Sequence, residues 1–174
     1  GSPTTEIVLD NVKVPADCLI DQEGNGFTIA LDTLDGGRLG IASQALGIAR
    51  AAVDLIGQHL GSQKDKRGRP SASQPDQWEF ADLASELDAY RFLTWRAATL
   101  RDRGVRCSTE AAMAKSCASR LANRAARAAV SILGLDGAAG SSAADRLLRD
   151  ARITEIYEGA TDIQRLVIAR GLLA

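Results

Sequence analysis

At 174 residues the chain is long enough for one domain with a sizeable core and short for two. Its 21 lysines and arginines nearly cancel its 22 aspartates and glutamates, so neither nucleic acid nor an anionic membrane has a global electrostatic claim on it. Three cysteines (Cys18, Cys107, Cys117) and a lone histidine, His59, give no disulfide framework and no metal-ligand spacing, which points to a reducing, cytoplasmic setting.

In chain order, Gly1-Ser2 reads as a tag-cleavage scar, and no signal peptide is expected. EIVLDNVKV, residues 6–14, places Ile7, Leu9, Val12 and Val14 in a broken alternation, a short strand or hairpin arm ending at Pro15. DQEGNG, residues 21–26, is a turn cluster. From Phe27 the apolar period becomes helical, running through Ile41, Leu46, Val53 and Ile56 to about Leu60, with Gly36-Gly37 expected to loosen the early part. No uncharged apolar run in the chain approaches the roughly 20 residues that cross a bilayer.

GSQKDKRGRPSASQP, residues 61–75, is a polar, basic loop: a solvated surface or a place to meet phosphates. A second helix is expected from about Asp76 to Asp102, burying Phe80, Leu83, Leu87 and Tyr90. A third follows Ser108-Thr109, with Ala114, Cys117, Ala118, Leu121, Ala125, Ala129 and Ile132 on one stripe. Arg120, Arg124 and Arg127 lie on another face as solvated charge. After a break at residues 134–142 comes a short helix, Ala143 to Arg152, then a last one beyond Gly159 that buries Ile163, Leu166 and Val167. Arg149 and Asp150 are expected to pair and fix the loop before it. Three long amphipathic helices and a final one describe an all-α, antiparallel up-down four-helix bundle with a short N-terminal extended segment.

Glu158 stands just ahead of the last helix. An acid there gains about 0.3–1 kcal/mol from the helix dipole alone, so a favourable end charge and a catalytic base are both open readings.

Several stretches together resemble the C-terminal helical domain of the acyl-CoA dehydrogenases: VKVPADCLI with EGNGF, GRLGIASQALGIARAAVD, AAMAKSCAS, LLRDARITEIYEGATDIQRLVIAR and, more weakly, FADLASEL. The resemblance implies that residues 25–174 are that domain. Residues 1–24 then hold the scar and the end of the family's middle β-domain, the rest of which another part of a longer chain or a partner subunit would supply. It implies FAD as cofactor, an acyl-thioester of coenzyme A or a carrier protein as substrate, and a homo-oligomer, dimer or tetramer. It also implies α-proton removal by Glu158, whose own N–H is one donor to the thioester oxygen. The family's alternative base position is Gly37 here, directly ahead of Arg38, so it carries no base. Arg38 supports the base's region, and Tyr157 and Gly159 border the substrate.

The departures from the pattern gather at the flavin. Lys64 and Arg67 stand for an arginine and a phenylalanine, Ser131 for a glutamine, and Leu135 for a glycine. Ala160 replaces the threonine after YEG, with Thr161 one place later. Three functions follow from this mixture. The first is the domain of a flavoenzyme that dehydrogenates an acyl-thioester; the others are a flavin-independent dehydratase or isomerase using Glu158, and a non-catalytic oligomerisation module. The first is the expectation carried forward.

Overall fold

The computed structural model describes residues 5–69 and 71–174; Gly1-Ser2, read above as a scar, and Pro70 lie outside the described residues. Among the described residues six helices follow a 3-10 turn at Ala16–Cys18: α1 (Gly26–Ser62), α2 (Gln74–Asp102), α3 (Ser108–Leu133), α4 (Leu135–Ala138), α5 (Ala143–Ile153) and α6 (Thr161–Leu173). The strand or hairpin arm expected at residues 6–14 is not formed among the described residues: the segment has no strand partner, bends at Asn11 (φ 50°), and leaves Ile7, Val8, Leu9, Val12 and Val14 exposed.

Side-chain neighbours give the helix directions. Phe80, early in α2, sits against Gly57 near the end of α1, and Arg101, late in α2, against Gly36, so α1 and α2 are antiparallel. Arg124 of α3 reaches Glu79 and Glu86, while Arg96 reaches Glu110, so α2 and α3 are antiparallel too. Gln164 of α6 lies near the level of Lys115 and Gly171 at Thr109, which sends α6 down against α3.

The α3 stripe is the centre of the core: Ala114, Ala118, Leu121, Ala125 and Ala129 are buried against Ala42, Ala45, Ala49 and Ile56 of α1 and Leu83 and Leu87 of α2. Alanine at these contacts brings the helix axes close, because interaxial distance follows side-chain size. α1 is the one described helix long and apolar enough to cross a membrane, with a mean hydropathy of 1.4 over its most apolar stretch; its alanine stripe is the core seam just described.

Four further expectations are corrected. Gly36-Gly37 does not loosen α1, which runs unbroken through both; packing outweighs a glycine cost of about 1 kcal/mol. Arg124 is not free in solvent, since it bridges to Glu79 and Glu86. Arg149 pairs with Asp145 and Asp150 with Arg146, because neighbours in sequence point away from each other on a helix while i,i+4 residues meet. In α6, Ile163 and Leu166 are exposed and Val167 is half-buried; the face turned to α3 is instead that of the buried Gln164.

Candidate active site

One face of α3 delivers the site. Lys115, Ser119 and Asn123 recur every four residues and point the same way. Asn123 Nδ2 donates to the Ala151 carbonyl at 3.0 Å, and Ser119 Oγ to Thr154 O at 2.8 Å. Lys115 Nζ donates to Gly159 O at 2.6 Å. The first two carbonyls belong to the C-terminal end of α5, where helical partners run out. This ladder guides the chain down α3 from α5 and sets the Tyr157-Glu158-Gly159 turn against the first third of α1.

The turn is held in an uncommon shape. Glu158 has φ 52° and Gly159 φ 94°, both left-handed. For a glutamate that conformation is costly and needs surrounding contacts to hold it. Gln164, fully buried in the first turn of α6, supplies them: its Nε2 donates to Glu158 O at 3.2 Å and Gly159 O at 3.0 Å. A Cβ on residue 159 would collide with that amide, so glycine is required there.

The Glu158 carboxylate rests on Gly37. A Cβ at Gly37 would stand 2.6 Å from Glu158 Cδ and 3.1 Å from Oε1, with Oε2 closer still. The two positions that the family resemblance offers for a base therefore converge on one point in space, and an absent side chain at one makes room for the other. The carboxylate caps nothing: α6 begins after Ala160, with no side-chain cap. Among the described residues the Glu158 N–H has no acceptor.

Beside the turn, Arg38 is buried, donates from Nη1 to Asp35 at 2.6 Å, and leaves Nε without a partner among the described residues. Ser108 of α3 donates to the other oxygen of Asp35, so the arginine is anchored across two helices. Tyr157 is half-buried; its hydroxyl donates to Gln44 of α1, and the ring borders a groove of about 580 Å³ with Ile48, Arg149 and Ile153. Thr161 is half-buried at the start of α6, 3.4 Å from Glu155 O.

The other cofactor positions are elsewhere. Lys64 and Arg67 are exposed on the loop after α1, which the Asp65 carboxylate ties by accepting from Arg67 N at 2.8 Å and Arg69 N at 2.9 Å. Those bonds, Arg69's first, hold the Asp65 carboxyl below its usual range. Ser131 is exposed near the end of α3, and Leu135 is 91% exposed beyond it. From Gly37 to the end of α1 is about 37 Å at 1.5 Å per residue. Cations and a hydroxyl suit an anionic dinucleotide, but no single flavin spans from them to Glu158 within one chain. Their chemistry fits the phosphate-bearing part of a dinucleotide such as FAD.

Lys115, Gln164 and Asp35 were not picked out from sequence, and Ser108 only as a helix start. Only the four-residue spacing of Lys115, Ser119 and Asn123, polar positions set beside a small-residue stripe, hints at them.

Residues 24–173 match the family described as acyl-CoA dehydrogenase, C-terminal domain. An acyl-CoA dehydrogenase of Bacillus subtilis is 47% identical over 99% of this chain and 46% of its own length. The human mitochondrial short-chain specific acyl-CoA dehydrogenase is 45% identical over 99% of this chain and 42% of its own. Among solved structures, butyryl-CoA dehydrogenase from Megasphaera elsdenii superposes with a TM-score of 0.90 at 39% identity, covering 96% of this chain and 44% of that one. The chain thus spans less than half the length of the curated relatives it matches.

Proposed function

The chain belongs to the acyl-CoA dehydrogenase family, matching its C-terminal domain, and from that premise we propose that it carries the general base for α,β-dehydrogenation of an acyl-CoA thioester, Glu158 taking the α-proton. The observation that carries this reading is the seating of the Glu158 carboxylate on Gly37 by a left-handed turn that neither caps a helix nor forms an ion pair among the described residues. A thioester α-proton is weakly acidic. Its removal needs a carboxylate held in place and a donor for the enolate oxygen that forms. The Glu158 N–H, without an acceptor among the described residues, supports its role as that donor.

Arg38 supports the turn as an anchored cation whose buried Nε–H has no partner among the described residues. Tyr157 and Gly159 border the thioester. FAD, when bound, supplies the acceptor for the β-hydride. Lys64, Arg67 and Ser131 would hold its phosphate-bearing part from one copy and Thr161 its other end from a second, which makes a homo-oligomer part of the proposal. The names of the human and Megasphaera relatives support a short straight acyl chain on coenzyme A.

The test uses the full-length, flavin-loaded protein and butyryl-CoA. Wild-type protein should bleach its flavin absorbance on mixing. Glu158→Gln should bind the thioester and bleach about 10²- to 10⁴-fold more slowly, the range ascribed to a general base. Bleaching at the wild-type rate would refute the reading.

A further inference from the structure

Resting on that reading, we propose that Lys115 is a positioning residue for the base: its buried ammonium clamps the Gly159 carbonyl and so holds the turn that sets the Glu158 carboxylate over Gly37.

Three observations support the assignment. Lys115 is the final rung of the α3 ladder and its only charged one; the same register is met at the other rungs by the neutral Ser119 and Asn123. The side chain is fully buried, yet among the described residues its ammonium has a single hydrogen-bond acceptor, a neutral carbonyl. A buried cation so thinly partnered lowers stability, and replacing such a charge by an apolar side chain of similar volume is often neutral or stabilising. Fold stability therefore does not explain why a lysine is here. Finally, the carbonyl it grips belongs to the residue after Glu158, so its bond constrains both the carboxylate and the adjoining N–H offered to the thioester.

Burial pulls the Lys115 amine down to about 8. The charged groups facing it are Glu155 and Glu158, which favour its proton, and Arg38, which opposes it. The cation is thus close enough to neutral pH for its charge to be titrated while the protein stays intact.

The experiment measures exchange of the substrate α-proton with solvent deuterium in the flavin-loaded, full-length protein. The wild-type rate should fall as pH rises through about 8, where Lys115 loses its proton. Lys115→Arg, which keeps the charge and a donor, should retain the neutral-pH rate within about tenfold and lack that fall. Lys115→Met should exchange about 100-fold more slowly at neutral pH, the order expected for a base displaced by about 1 Å, with thioester affinity changed less than about threefold. Three results overturn the proposal: a wild-type profile flat through that pH, a fall that persists in Lys115→Arg, or Lys115→Met exchanging at the wild-type rate. Should Lys115→Met fail to fold, the first two comparisons decide. Glu158→Gln is the control: if it exchanges normally the function reading fails, whereas if it alone loses exchange only the Lys115 proposal does.

Discussion

Glu158 illustrates how far single residues can be read without a structure. Its motif and the missing side chain at Gly37 were legible, because both lie in short local patterns. What separates base from end charge was not. The carboxylate of residue 158 meets the backbone of residue 37, and the Lys115 clamp joins residues 44 apart. Such contacts leave no trace in a local period. Gly37→Ala puts a methyl group into the carboxylate's place, so catalytic turnover should fall about 100-fold or more for a displacement near 1 Å. Its helix should not weaken, since alanine favours a helix interior by about 1 kcal/mol over glycine; thermal melting beside turnover assays checks both. Lys115 yields a stability prediction of definite sign. Its folded value of about 8 lies below the 10.5 of a free lysine amine, so between them the unfolded chain binds more protons and stability rises with pH. Below about 8 the cost of the buried charge is fully present. Lys115→Met should therefore resist urea better than wild type at neutral pH, by up to a few kcal/mol, with the gap closing as pH approaches 10.5.

The helices were the most readable level, and α1, α2, α3 and α5 begin and end within two residues of their expected bounds. Their apolar stripes repeat over many turns, so each boundary rests on a long pattern. α6 is where that logic failed. It is short, its Ile163 and Leu166 face outward, and its one fully buried side chain is a glutamine engaged with the Glu158 turn. Hydrophobicity announced the helix but misread its buried face, because the most buried side chain there is polar. The same helix lacks a cap: Ala160 has the extended backbone of an N-cap, φ −55° and ψ 154°, but no side-chain acceptor. Ala160→Thr should supply one and add about 1 kcal/mol, read by chemical denaturation.

At the scale of the molecule, the bundle separates two kinds of chemistry. Glu158, Arg38 and Lys115 cluster at the first third of α1, while Lys64 and Arg67 stand beyond its far end, about 37 Å along the helix. Fold class and helix order could be read from residue patterns, but this division needed the helix directions, which come from pairs such as Phe80 with Gly57 and Ser108 with Asp35. It predicts complementation. Oligomers mixed from Glu158→Gln copies and Arg67→Glu copies, each inactive alone, should regain activity, because some sites then draw both intact residues from different copies; absence of recovery counts against sharing. The central claim, that Glu158 removes the α-proton, is tested most directly by following deuterium entry at the α-carbon of butyryl-CoA by nuclear magnetic resonance. Glu158→Gln should cut that rate by at least about 100-fold with the thioester still bound, and undiminished exchange in the variant would contradict the account.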